Sequence, residues 1–190
     1  MSVAHSTQAG RHRLADRADD LYETPAVAVD ALLRVERLPH RIWEPACGPG
    51  AIVRVLRDAG HDVLATDLCD YGLEDSAAGI DFLMERRLPD GIEAIVTNPP
   101  YKLAHEFVAH ACRLCPRVIM LLRFCFYESE RRSILLDDAG LERVHLFSKR
   151  LPMMHRAGWT GPRASSATAF AWFVWRRDHV GPTELRRVRT

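Results

Sequence analysis

Between residues 41 and 122, short apolar runs alternate with helix-like stretches, and that alternation leaves few folds open to the chain. Arg41–Glu44, His61–Thr66, Glu93–Thr97 and Arg117–Leu122 read as strands, with helical segments at Ile52–Ala59 and Lys102–Leu114. Repetition of this kind predicts an α/β fold, a mostly parallel sheet with helices on both faces. Upstream, Thr24 and Pro25 suit the N-cap and first position of a helix whose apolar face is Val27, Leu32, Leu33 and Val35. Downstream, Ser129–Asp138 reads as a helix, then Val144–Phe147 and Ala169–Trp175 as strands. No helix separates the last two strands, so an antiparallel hairpin at one edge is expected.

The expected organisation is a flexible N-terminal tail (1–20), a single domain (21–178) and a basic C-terminal tail (179–190). With 26 Lys+Arg against 25 Asp+Glu, the chain has a formal net charge of +1, which by itself argues against a nucleic-acid partner. The charge is unevenly spread, however. Residues 149–190 hold nine basic residues against only Asp178 and Glu184. Such asymmetry is itself a signal of a charged partner. No run approaches the ~20 apolar residues that span a bilayer, and residues 1–20 carry no apolar signal region. Five cysteines, an odd number, in a chain of this size suggest a reducing cytoplasm.

In a parallel sheet, ligands bind outside the carboxyl ends of the strands, and four features fall at those ends. Glu44-Pro45-Ala46-Cys47-Gly48-Pro49-Gly50 joins strand to helix, its glycines allowing a tight turn and close approach of backbone to ligand. A dinucleotide fingerprint would need Gly or Ala where Val53 stands, and Glu44 suits a ligand with a positive group better than a pyrophosphate. Asp67 ends the next strand, where a carboxylate can accept from both hydroxyls of a ribose or cap a turn. Asp81-Phe82 is expected to end the third strand; the aspartate can accept from an exocyclic amine or face solvent beside a core phenylalanine.

The fourth feature, Asn98-Pro99-Pro100-Tyr101, is the most specific. Two prolines fix φ and remove two backbone donors, leaving the Asn98 amide oxygen and the Pro99 carbonyl to accept both N–H bonds of one planar amine. An amine conjugated to a ring or carbonyl is a poor nucleophile. Holding both hydrogens favours a pyramidal nitrogen and aims its lone pair. Tyr101 can stack on the flat group that bears the amine.

In this order the four features resemble the S-adenosylmethionine-dependent amino-methyltransferases, and most of all the small adenine-N6 DNA methyltransferases of phages and prophages. The resemblance covers roughly residues 21–178 and includes Leu21-Tyr22-Glu23-Thr24-Pro25, similar to that family's N-terminal cofactor motif. It implies a seven-stranded sheet, mostly parallel, with an antiparallel last strand. The implied cofactor, S-adenosyl-L-methionine, would contact Tyr22, Thr24 and Pro25. Its methionine part would lie near Glu44, Pro45, Ala46, Gly48 and Gly50, its ribose at Asp67 and Leu68, its adenine at Asp81 and Phe82. Asn98, Pro99, Pro100 and Tyr101 would form the catalytic site. The implied substrate is an exocyclic amine of nucleic acid, DNA favoured over RNA. Alternatives are an rRNA base, a protein glutamine, or a non-catalytic cofactor-binding interaction module. A monomer is the favoured state.

Residues 149–167 combine bases with apolar groups, a pairing suited to phosphates and bases; Tyr101, Lys149, Arg150, Arg156, Trp159 and Arg163 are the candidate substrate contacts. No metal site is expected. His105 and His110 are five residues apart, which on a helix places them about 140° apart and off a common zinc-binding face. Cys112 and Cys115 lack a second ligand pair. Trp172, Phe173 and Trp175 are expected to pack in the core and edge rather than to stack on bases.

Overall fold

The computed structural model describes residues 22–153 and 168–190. Its eight strands are β1 (Arg41–Glu44), β2 (Asp62–Thr66), β3 (Ser76–Ala77), β4 (Ala94–Thr97), β5 (Arg117–Arg123), β6 (Leu141–Phe147), β7 (Phe170–Arg176) and β8 (Glu184–Val188). They form one sheet in the order β3-β2-β1-β4-β5-β7-β6-β8. Every neighbouring pair is parallel except those of β7, which runs antiparallel to both β5 and β6. Three helices, α1 (Ala26–Val35), α2 (Ala51–Asp58) and α3 (Ala104–Leu114), cover the faces.

Period-two alternation of the strands assigns each side chain to a face. Ile42, Val96, Ile119, Leu121, Trp172 and Val174 pack with α1 and α2 through Leu32, Val53 and Leu56. Their neighbours Trp43, Ile95, Val118, Met120 and Phe173 pack on the other face with Phe107, Val108 and Ala111 of α3. Strands β4, β5 and β7 are thus buried on both sides, and this is why they read as unbroken apolar runs. Trp172 and Phe173 are fully buried core residues, as expected. The indole N–H groups of Trp172 and Trp175 donate to Ala28 O and Leu135 O at 2.8 and 2.7 Å, so neither ring is offered to a ligand.

Several expectations need correction. The sheet has eight strands rather than seven, because residues 184–188, expected in a tail, pair in parallel with β6. That strand, not the β6–β7 hairpin, forms the edge, and β7 lies inside the sheet. The segment 129–138 is not one helix but a 3₁₀ turn at Glu130–Arg132 followed by a single π turn at Ile134–Asp138. The third strand is only Ser76–Ala77, so Asp81 does not end it. Bonds from Asp67 N–H to Ala77 O and from Ile80 N–H to Asp67 O instead draw residues 77–80 along the end of β2. Asp81 then caps the 3₁₀ turn Phe82–Met84 by accepting from Leu83 N–H at 3.0 Å.

Candidate active site

The ends of β1, β2 and β4 meet around one cavity of about 180 Å³. After Glu44 the chain turns through Pro45–Gly50, with φ of +50° at Gly48 and +89° at Gly50. A Cβ on Gly50 would fall 2.5 Å from Leu73 Cδ1, the movable end of a side chain, so it is the left-handed backbone that calls for glycine there. Glu44, Pro45, Ala46 and Gly48 line the cavity; Gly50 instead starts α2. Asp67 lines it too, and closes the turn: one carboxylate oxygen accepts from Gly48 N–H at 2.8 Å, the other from Cys69 N–H at 2.9 Å. A carboxylate has about four acceptor sites, so Asp67 keeps capacity for a further donor.

Leu68, Asp81 and Phe82 form another part of the wall. Phe82 is buried between the rings of Trp43, Phe107 and His110, which fixes the floor beside Asp81. His110 therefore serves packing, and burial pushes its imidazole below the ordinary range. Among the described residues no group of three or more His, Cys, Asp or Glu side chains could hold a metal. Nor is Cys47 a nucleophile. Burial first, then the nearby carboxyls of Glu44 and Asp67, push its thiol up to about 12.

Beyond β4, Asn98, Pro99, Pro100 and Tyr101 line the cavity. The Asn98 amide nitrogen donates to Tyr22 O at 2.9 Å and to Thr24 Oγ1 at 3.1 Å. A carbonyl oxygen can only accept, so these bonds fix which end of the amide is which. Asn98 Oδ1 is left buried and without a hydrogen-bond partner among the described residues. Thr24 is therefore not the expected N-cap. Pro25 takes that position, outside the cavity wall, and the Thr24 side chain is committed to Asn98 across the chain. Tyr22 also lines the cavity, its ring centroid 4.8 Å from that of Tyr101.

Glu44 is the electrostatic anomaly. It is buried, and its Oε2 has no hydrogen-bond partner among the described residues. Burial, then repulsion from Asp67, push its carboxyl well above the ordinary range, against the pull of Val53 N–H, Arg54 and Arg57. A cavity holding one carboxyl short of a counter-charge and one amide oxygen short of a donor is built for a ligand with a cationic group and N–H donors.

Lys149 and Arg150 are exposed just past the end of β6, on the same end of the sheet; Arg156, Trp159 and Arg163 lie outside the described residues. Sequence reasoning passed over Arg123, the last residue of β5, whose guanidinium carbon lies 4.5 Å from the centroid of the Tyr101 ring. The available signal was its position as the first charge after an apolar run, at the strand end where ligands bind.

No protein-family model and no curated protein sequence matches the chain. Solved structures do. A protein from Pyrococcus horikoshii assigned as an RNA methyltransferase superposes with a TM-score of 0.60 at 11% identity, over 82% of this chain and 85% of its own. The modification subunit assigned to a type I restriction enzyme of Vibrio vulnificus gives 0.58 at 14% identity over 90% of this chain, which spans only 47% of that subunit. A TehB-like S-adenosylmethionine-dependent methyltransferase from Corynebacterium glutamicum gives 0.50 at 19% identity, over 78% of this chain and 85% of its own. At these identities the likeness is one of fold: this chain has the class I, Rossmann-like architecture of methyltransferases.

Proposed function

We propose that the protein transfers a methyl group from S-adenosyl-L-methionine to an exocyclic amine of nucleic acid, adenine N6 in DNA being the favoured target. The observation that carries this is the state of Asn98. Both of its amide hydrogens are engaged by Tyr22 and Thr24, and its buried oxygen is free to accept. The cofactor fits the cavity on the evidence of Glu44, an unpartnered buried carboxyl suited to a cationic group. When bound, it supplies an electrophilic methyl group on a sulfonium.

The chain's own residues then do the positioning. Glu44 ionises against the ligand's positive charge, while Asp67 and Asp81 accept from its sugar and base. Asn98 Oδ1 and the Pro99 carbonyl accept the two N–H bonds of the target amine. They orient the nitrogen lone pair and offset the positive charge that grows on it as the N–C bond forms. Tyr101 holds the plane of the target base. The methylated nitrogen is acidic enough to pass its surplus proton to water, so no side chain is assigned as general base. Placement alone supplies several kcal/mol of rate enhancement, on the order of 7–11 at most.

Incubation with methyl-labelled cofactor and unmodified DNA, RNA or cell extract, followed by digestion, identifies the acceptor. The expected product is labelled N6-methyladenine in DNA, lost in Asn98→Ala. Label in protein glutamine or in an rRNA base overturns the choice of substrate. Cofactor binding without transfer to any of these overturns the enzyme and leaves a binding module.

A further inference from the structure

Three described groups lie against the Tyr101 ring: Tyr22 with centroids 4.8 Å apart, Phe170 at 5.8 Å, and the Arg123 guanidinium at 4.5 Å from the ring centroid. Two of these are fixed walls. Tyr22 belongs to the segment that grips Asn98, and Phe170 is a buried residue of β7. Arg123 differs from both. Its side chain is exposed, and its guanidinium makes no ion pair or side-chain hydrogen bond among the described residues. Among the described residues the charge is held by the aromatic face alone, an interaction of about 0.5–1 kcal/mol at exposed sites. A guanidinium is flat, stacks as a base does, and forms two parallel bonds to phosphate. It thus sits where a planar substrate group would sit, held weakly enough to give way, and meets no anion among the described residues.

We propose that Arg123 is a substrate-selecting residue: it covers the Tyr101 ring in the free protein and, when a base stacks there, moves to a phosphate of the strand that carries the base. The selection follows from the energy balance. A base on a phosphodiester strand displaces the guanidinium and returns it a stronger, charge-assisted partner. A free nucleoside or a protein amide displaces it and returns nothing. The site therefore discriminates by what the amine is attached to, beyond the amine itself. This rests on the reading of Tyr101 as the stacking partner of the target base.

The test compares binding of a fluorescein-labelled 12-nucleotide oligodeoxyadenylate, by anisotropy at several salt concentrations, with binding of deoxyadenosine, by calorimetry. The proteins are wild type, Arg123→Ala, Arg123→Lys and, as a control exposed ahead of β1 at the opposite end of the sheet, Arg37→Ala. Arg123→Ala should weaken the oligonucleotide about tenfold and reduce its salt slope by ~0.7, while deoxyadenosine binds as well as before or better. Arg123→Lys should keep the salt slope but bind less tightly than wild type, and Arg37→Ala should match wild type. The proposal is overturned if Arg123→Ala leaves affinity and slope unchanged, or weakens both ligands by one factor, as a mere support for Tyr101 would. Wild-type binding of deoxyadenosine without the oligonucleotide also overturns it. Binding of both ligands as expected, with no methyl transfer, overturns only the assigned reaction, and binding of neither overturns both readings.

Discussion

Replacing Glu36 by glutamine removes a buried negative charge that three basic residues share. Glu36 caps the C-terminal end of α1, its side chain only 2% exposed. It accepts from Arg143 Nε at 2.6 Å and Nη2 at 3.1 Å, from Arg117 Nη2 at 3.0 Å and from His145 Nε2 at 2.8 Å. Burial alone would push this carboxyl up. The hydrogen bonds from His145 and Arg143 outweigh burial and hold it at about 2, against an ordinary 4.5. At 1.36 kcal/mol per pH unit, that difference is worth about 3 kcal/mol of folding free energy. Because the folded value lies below the unfolded one, the contribution is complete above pH 4.5 and is lost as pH falls through 2. In glutamine the charge is absent at every pH, and one carboxylate oxygen becomes an amide that cannot accept. Urea unfolding should therefore place Glu36→Gln about 3 kcal/mol below wild type at pH 7, about 2 at pH 3.5 and under about 1 at pH 2.5. For a chain of this length the pH 7 deficit corresponds to a fall in Tm of roughly 6–12 °C. A variant melting within about 2 °C of wild type at pH 7, or a deficit that does not shrink on acidification, would refute the reasoning.

Glu44 should show the opposite sign. Its folded carboxyl is held above the ordinary range, so the unfolded chain releases that proton first and the contribution to stability falls as pH rises above 4.5. Glu44→Gln should be more stable than wild type at pH 8 by denaturant unfolding, yet bind S-adenosylmethionine at least tenfold more weakly by calorimetry. At Thr24, valine keeps the shape but removes the acceptor for the Asn98 amide. Thr24→Val should cost about 1 kcal/mol in stability and lower kcat with KM for the nucleic acid little changed, while Thr24→Ser restores kcat.

The parts of the fold legible in the sequence are those whose burial is two-sided. Arg117–Leu122 and Ala169–Trp175 announce themselves because every position between Val118 and Leu122, and between Phe170 and Trp175, is buried. Strand β8 gave no such signal: in Glu184–Val188 only Val188 is buried, and main-chain pairing with β6 holds the rest. The glycine turn and the Asn98–Tyr101 corner were legible because prolines and glycines restrict the backbone locally. Thr24 was misread for the same reason in reverse. Its sequence neighbours favour a cap, but a partner 74 residues away takes the side chain. The role of Asp67 in closing the Gly48 turn arises where two strand ends meet and has no local signature.

The antiparallel course of β7 has a consequence for how chains of this design can diverge. The connection leaves the sheet after Phe147 and rejoins it at Phe170, and both points lie at the end that holds Tyr101. An insertion there begins and ends on the same rim. It shifts no strand register and adds only the entropy of a longer closed loop, about 0.6 kcal/mol for each doubling in length. The connections after β1 and β4, by contrast, flow into α2 and α3 and lack this freedom. The length of chain between β6 and β7 can therefore change while the turn at Gly48 and the corner at Asn98 stay in register.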